Sequence, residues 1–236
     1  MIRPDIHDLR EFYGGHLGQT ARQMLRRRLR AIWPDMRGLR LLGLGFATPF
    51  LNSYRDGAER VVAAMPALQG VVRWPSDGPS QVVLCDDADL PFPDNFFDRV
   101  LIAHELEHVD NLRAHLREVW RVLTSNGRVL IVAPNRAGVW SLLERTPFGH
   151  GRPFTTGQLS RLLRDNLFAP EKTEGALYFL PVKSRTLLRT AGWWEVIGEK
   201  LWPRFGGAVL IEAEKHIYGL IPARARRAFA LRPAGA

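Results

Sequence analysis

Residues with chemistry to offer fall into two groups. The first is Gly43-Leu44-Gly45 followed by Thr48-Pro49, within the stretch LLGLGFATPFL at residues 41–51. Two glycines with one residue between them let the backbone turn tightly and leave room for a ligand against the main chain. Thr48 suits a helix cap, with Pro49 in the first helical position. A short strand, a glycine turn and a helix N-terminus in that order make a cofactor cradle, and equally an economical turn. The second group is His150 and Arg152 in PFGHGRP at residues 147–153. A histidine between glycines is ill suited to a packed core. Its imidazole can serve as a general base near neutral pH, while Arg152 can hold an acidic group of an acceptor. The plainer reading is a surface loop that supports the next helix.

Positioning these groups falls to alternating strands and helices. Residues 40–42, 60–65, 82–85, 97–103 and 128–133 read as five strands. The third is an all-apolar run of the kind that lies inside a parallel sheet. Helical patterns separate them, one running from the glycine turn to about Tyr54 and one over residues 111–123. This alternation predicts βαβ units and a parallel sheet with right-handed crossovers. Ligands sit at the carboxyl ends of such strands. Those ends are residues 43–48, Met65-Pro66, Asp86-Asp87, His104-Glu105 and Pro134-Asn135, which define one crevice.

Two helices over residues 5–13 and 17–32 precede the sheet and can cover one edge of that crevice. Tyr13, beside Gly14-Gly15, is a candidate lid residue, with core packing the plainer role. After the fifth strand an insertion over residues 136–160 leads to a helix at 156–168. A sixth strand at 176–180, a helix near 183–202 and a seventh strand at 208–214 follow. Trp193, Trp194 and Trp202 are expected to pack against the sheet, the alternatives being an aromatic acceptor pocket or a partner surface. His108 and His115 read as solvated or core side chains.

The 236 residues suit one α/β domain with additions, and 46% hydrophobic with 24% charged residues is ordinary globular composition. Cys85 is the single cysteine, so neither an intrachain disulfide nor a thiolate zinc cluster can form. With no apolar leader and no membrane-length apolar run, a cytoplasmic protein is expected. The net charge of +9 comes from 29 Arg and 4 Lys against 24 acids. The dense cluster at residues 26–30 also carries apolar residues at helical spacing, so it reads as the solvated face of an amphipathic helix. Nucleic acid is therefore not the expected partner.

DDADLPFPDNFFDRVLIAHELEHV followed by LREVWRVLTSNGRVLIVAPN resembles the central blocks of class I S-adenosylmethionine-dependent methyltransferases. The likeness runs over residues 38–135 and more loosely to the C-terminus. It implies a Rossmann-like, seven-stranded, mostly parallel sheet flanked by helices. In this chain that gives an N-terminal helical cover (1–37), a methyltransferase domain (38–221) and a basic, flexible tail (222–236). It implies S-adenosylmethionine as cofactor, held at Tyr13, Gly43, Leu44, Gly45, Thr48, Met65, Asp86, Asp87 and His104. The glycine turn would take the methionine part, the end of the second strand the ribose, and Asp86 or Asp87 the adenine amino group. Asp at that pair also simply forms turns.

The chain departs from the family pattern at two cofactor positions. Gly43 stands where the family has an acid, and Met65 where it often has a second one; Ala47 and Pro49 replace later turn glycines. Each lost carboxylate removes charge-assisted hydrogen bonds of about 1.5–3 kcal/mol. The expected activity is methyl transfer to an O or N atom of a small-molecule acceptor, with His150 and Arg152 as the catalytic candidates and no metal. The rival is a non-catalytic binding or regulatory protein that keeps the fold. Methylation of RNA or protein rests only on basic charge, and a dehydrogenase lacks the third glycine and the acid after the second strand.

Overall fold

Seven strands hydrogen-bond in the order β3-β2-β1-β4-β5-β7-β6 in the computed structural model, which describes residues 4–182 and 184–217. They are β1 (Arg40–Gly45), β2 (Arg60–Pro66), β3 (Val82–Cys85), β4 (Phe97–Ala103), β5 (Leu123–Pro134), β6 (Phe168–Ala176) and β7 (Ala208–Lys215). The first five run parallel, and β7 enters antiparallel between β5 and β6. This is the expected Rossmann-like, mostly parallel sheet. Alternate residues of β1 feed opposite layers, Leu41 packing with the N-terminal helices and Leu42 and Leu44 with the helices on the other face. No helix among the described residues is long and apolar enough to cross a membrane.

Helix α1 (Ile6–Gly14) starts where Asp5 accepts from the His7 amide and stops at Gly15. Helix α2 (His16–Ile32) buries Ala21, Met24, Leu25, Leu29 and Ile32, the 3.6-residue stripe that the sequence shows. The two form a tight corner, because a Cβ at Gly18 would run into the Phe12 carbonyl. Trp33 donates to Glu212 on β7 at 2.7 Å and ties the end of α2 to the sheet. Helices α3 (Thr48–Leu51), α4 (Leu112–Val122) and α5 (Thr156–Asp165) follow in the crossovers, then α6 (Arg185–Arg189) and α7 (Ala191–Leu201) before β7.

Six expectations are corrected. β3 lies at the sheet edge with Leu84 half-exposed, since a four-residue apolar run does not distinguish edge from centre. The helix after the glycine turn has only four residues and gives way to turns before Tyr54. The fifth strand begins at Leu123, five residues early, drawn into the sheet by pairing with Phe97. The sixth strand is Phe168–Ala176 rather than 176–180, its solvent-facing Glu171 and Lys172 masking it from an apolar search. The stretch expected as one helix near 183–202 is two, and Trp193, Trp194 and Trp202 are exposed instead of packed on the sheet, because the inward side of α7 takes only small residues and Glu195. Lys183 and the tail at 222–236 lie outside the described residues.

Candidate functional site

At the carboxyl end of β1 the backbone turns through Gly45 in the left-handed region, φ +70°. A Cβ there would meet the Ala103 carbonyl at 2.5 Å and Glu105 Cβ at 2.7 Å, so only glycine lets β1 cross the end of β4. Phe46 then donates its amide to Ala103 at 2.9 Å. Gly43 serves packing: a Cβ would strike Leu51 at 2.6 Å and Ala47 at 2.9 Å, so its bareness admits α3. Leu44 is fully buried in the opposite core layer, and Thr48 is buried at the start of α3.

His104, also left-handed at φ +53°, stands at the tip of β4. The Tyr13 hydroxyl lies 2.6 Å from its Nε2, and Glu107 lies 3.6 Å from its Nδ1. The carboxylate favours a proton on Nδ1, which leaves Nε2 to accept from the phenol. Burial first, then the nearby Glu107 charge, raise the Tyr13 phenol well above 10.0, so it stays a donor. Its ring stacks on Phe46 at 5.9 Å and meets Phe50 edge-on at 5.8 Å. Gln69 donates to the His104 carbonyl at 3.1 Å and closes the floor from the β2 side.

The end of α1 is a wall with a cavity on each side. On one side Tyr13 and Gly14, with Phe46, Thr48, Pro49 and Asn52, line a space of about 510 Å³ that carries Arg10, Arg22 and Arg73 and the Trp74 indole. On the other side Phe12 and Gly15, with Leu17 and Pro147, line a space of about 630 Å³ that carries Asp8, Glu11, His16, Glu144, Arg145 and His150. A third cavity of about 540 Å³, around Arg55, Glu59 and Arg60, opens at the opposite end of the strands and lies away from this chemistry.

The predicted residues divide between these places. Tyr13 and Thr48 border the arginine-lined cavity, and His150 borders the other. Gly45 and His104 sit between β1 and β4 with Tyr13 over them. Met65 is fully buried, its sulfur accepting from the Val72 amide at 3.4 Å. Asp86 is exposed and accepts from the Ala88 amide at 2.8 Å, a turn-forming role, while the Asp87 carbonyl meets His115 Nδ1 at 2.8 Å. Arg152 is exposed and borders neither cavity; its amide donates to the Glu107 carbonyl at 2.9 Å. Sequence reasoning missed Arg10, Arg22 and Arg73 on one side and Asp8, Glu11, His16 and Arg145 on the other. For Asp8, Arg10, Glu11, His16 and Arg22 the signal available was the polar stripe of α1 and α2, which borders both cavities.

The donor set of the smaller cavity fits the expected cofactor on its open side. Arg10 and Arg22 suit a carboxylate, Trp74 offers a flat face, and Asn52 and Thr48 are polar edges. On the Gly45 side the space is taken by Glu105, with Phe46 and Tyr13 stacked beside it.

A family profile described as a methyltransferase domain matches residues 42–131. The chain is 39% identical over 64 residues to a ubiquinone/menaquinone biosynthesis C-methyltransferase of Cupriavidus taiwanensis, spanning 27% of this chain and only 26% of that protein. It is 29% identical over 156 residues to a demethylmenaquinone methyltransferase of Thermus thermophilus, spanning 64% of this chain and 70% of that protein. Among solved structures, a possible histamine N-methyltransferase of Thermotoga maritima superposes with a TM-score of 0.60 at 17% identity, over 89% of this chain and 96% of the other.

Proposed function

We propose an activity on the premise that this chain belongs to the class I S-adenosylmethionine-dependent methyltransferase family: it moves a methyl group to an oxygen or nitrogen atom of a small-molecule acceptor. The observation that carries this reading is the pair of cavities on either side of the α1 wall, one cationic and one lined by imidazoles and carboxylates. S-adenosylmethionine supplies, when bound, an electrophilic methyl group on a sulfonium sulfur. Arg10 and Arg22 would hold its carboxylate, with Thr48 and Asn52 at its polar edges. Phe12, Leu17 and Pro147 keep water from the acceptor, and Arg145, Glu144 and Glu11 orient its polar groups. His150 takes the proton from the acceptor's O–H or N–H as the bond to carbon forms. The wall must move for the two sides to meet, and Gly14-Gly15 is the hinge that permits it.

A named relative acts in quinone biosynthesis at carbon, which makes a reduced quinone the first acceptor to try beside simple phenols and amines. The test is isothermal titration with S-adenosylmethionine and S-adenosylhomocysteine, followed by transfer of labelled methyl to that acceptor panel. Micromolar binding of both with transfer is expected; no heat at millimolar ligand overturns the reading.

A second reading, a non-catalytic protein on the same fold, is favoured by one specific observation. Glu105 and Tyr13 fill the Gly45 side of the cradle, and Met65 stands fully buried where a ribose-holding acid is absent. Absence of binding in the same titration is its expected outcome.

A further inference from the structure

We propose that α7 and the turn after it form a docking surface for an anionic lipid bilayer. Nine of the fifteen exposed large apolar side chains among the described residues fall within residues 180–205. Helix α7 is built inside out. Its inward face carries Ala191, Glu195 and Gly198, while Trp193, Ile197 and Leu201 point to solvent at intervals of four. The inward face is already saturated, since a Cβ at Gly198 would collide with the Tyr178 side chain. Glu195 accepts from the Leu177 and Tyr178 amides, both at 2.8 Å, so the acid serves the interior and the indoles serve the outside. Trp193 is 75% exposed, far beyond what a packed covering helix shows.

The charges of this surface select the occupant. Arg185, Arg189, Lys200 and Arg204 are exposed on it. Its acids are engaged: Glu195 is buried, and Glu199 is held by both guanidinium nitrogens of Arg28 at 2.6 Å. The basic face of α2 continues it, because Gln19 and Gln23 border both the cavity that carries Arg26, Arg27 and Arg30 and the one that carries Arg185 and Arg189. Helix α2 contains no acidic residue. Cations alternate with apolar tips along the chain: Lys200 precedes Leu201, and Arg204 stands between Trp202 and Phe205.

A protein interface concentrates its apolar residues at a centre depleted of charge. Interleaved cations and indoles suit a headgroup layer, where each cation meets a phosphate while the neighbouring ring enters the acyl boundary. Phe205 to Gly207 lead into β7 at Ala208, which pairs with Pro134 at the carboxyl end of β5. Docking therefore brings the crevice end of the sheet, not its opposite end, toward the bilayer.

Flotation of the full chain with vesicles tests this, without cofactor or acceptor, so its result is independent of the proposed activity. Binding is expected to vesicles of phosphatidylcholine with about 30 mol% phosphatidylglycerol at low salt, to be lost near 0.5 M salt (roughly a 4 Å screening length), and to be absent on phosphatidylcholine alone. Arg185→Glu with Arg189→Glu should lower partitioning about 20-fold or more. Trp193→Ser with Leu201→Ser should lower it about tenfold while leaving the circular dichroism spectrum unchanged, because both side chains are exposed. No flotation of the parent chain overturns the proposal. So does flotation that the Trp193/Leu201 pair leaves intact, or a dimer that this pair dissociates in the absence of vesicles.

Discussion

The two faces of the α1 wall differ in charge more than in size. Toward the glycine turn the charged groups are Arg10, Arg22 and Arg73; toward the insertion the ionisable groups are three carboxylates, two imidazoles and Arg145. A ligand end bearing a carboxylate is stabilised on the first side and repelled by the acids of the second. An acceptor that must give up a proton finds a base only on the second. Between them stand two consecutive aromatic residues, Phe12 and Tyr13, at 5.0 Å and near right angles. A helix places neighbours about 100° apart, so two adjacent residues are enough to finish two different cavities. The proposed division of labour thus rests on helix geometry, and each side can be broken separately.

Removing the wall has the largest expected effect. Tyr13→Ala deletes a ring packed on Phe46, Phe50 and His104 and leaves a hole, which should cost about 3–5 kcal/mol in urea unfolding. A loss below about 1 kcal/mol would mean that the ring is not a packed partition. Next comes the insertion side. His150→Gln keeps the size of the side chain but removes the base, so kcat should fall about 100-fold with affinity for S-adenosylhomocysteine unchanged. If affinity fell instead, His150 would belong to the other side. Arg22→Ala inverts that pattern, with S-adenosylhomocysteine binding weakened about tenfold in calorimetry and Glu11→Gln, across the wall, leaving it alone.

The strands were legible where apolar runs are bounded by turn residues: residues 82–85 and 97–103 were read to the residue. β6 was not, because an edge strand with solvated Glu171 and Lys172 has no apolar signature. The tight turn at Gly45 was legible from the pattern, and its left-handed φ shows why the position must be glycine. Gly43, read as ligand-facing, turns out to hold space for Leu51, which spacing alone cannot reveal. The arginines of the smaller cavity were illegible for a different reason. Arg10 and Arg22 are solvent-stripe residues of α1 and α2, where the tertiary corner at Gly18 decides what that stripe faces, and Arg73 comes from the loop after β2.

The smallest expected effect is the most diagnostic of the wall's chemistry. Tyr13→Phe keeps the ring and removes only the hydroxyl that meets His104 Nε2, for a cost of about 1 kcal/mol, since one buried acceptor loses its partner. The same substitution changes the alkaline limb. Because burial and Glu107 raise the Tyr13 phenol well above 10.0 in the folded chain, above pH 10 the unfolded chain loses this proton while the folded chain keeps it. That proton's contribution is complete below the unfolded value and declines as pH rises past it. Tyr54 and Tyr178, each pushed up to about 12, add the same trend in both proteins and cancel in the comparison. The difference in unfolding free energy between parent and Tyr13→Phe should therefore shrink between pH 10 and pH 11. A difference that stayed constant would show that the phenol ionises as freely in the folded protein as outside it, and that the wall is wet.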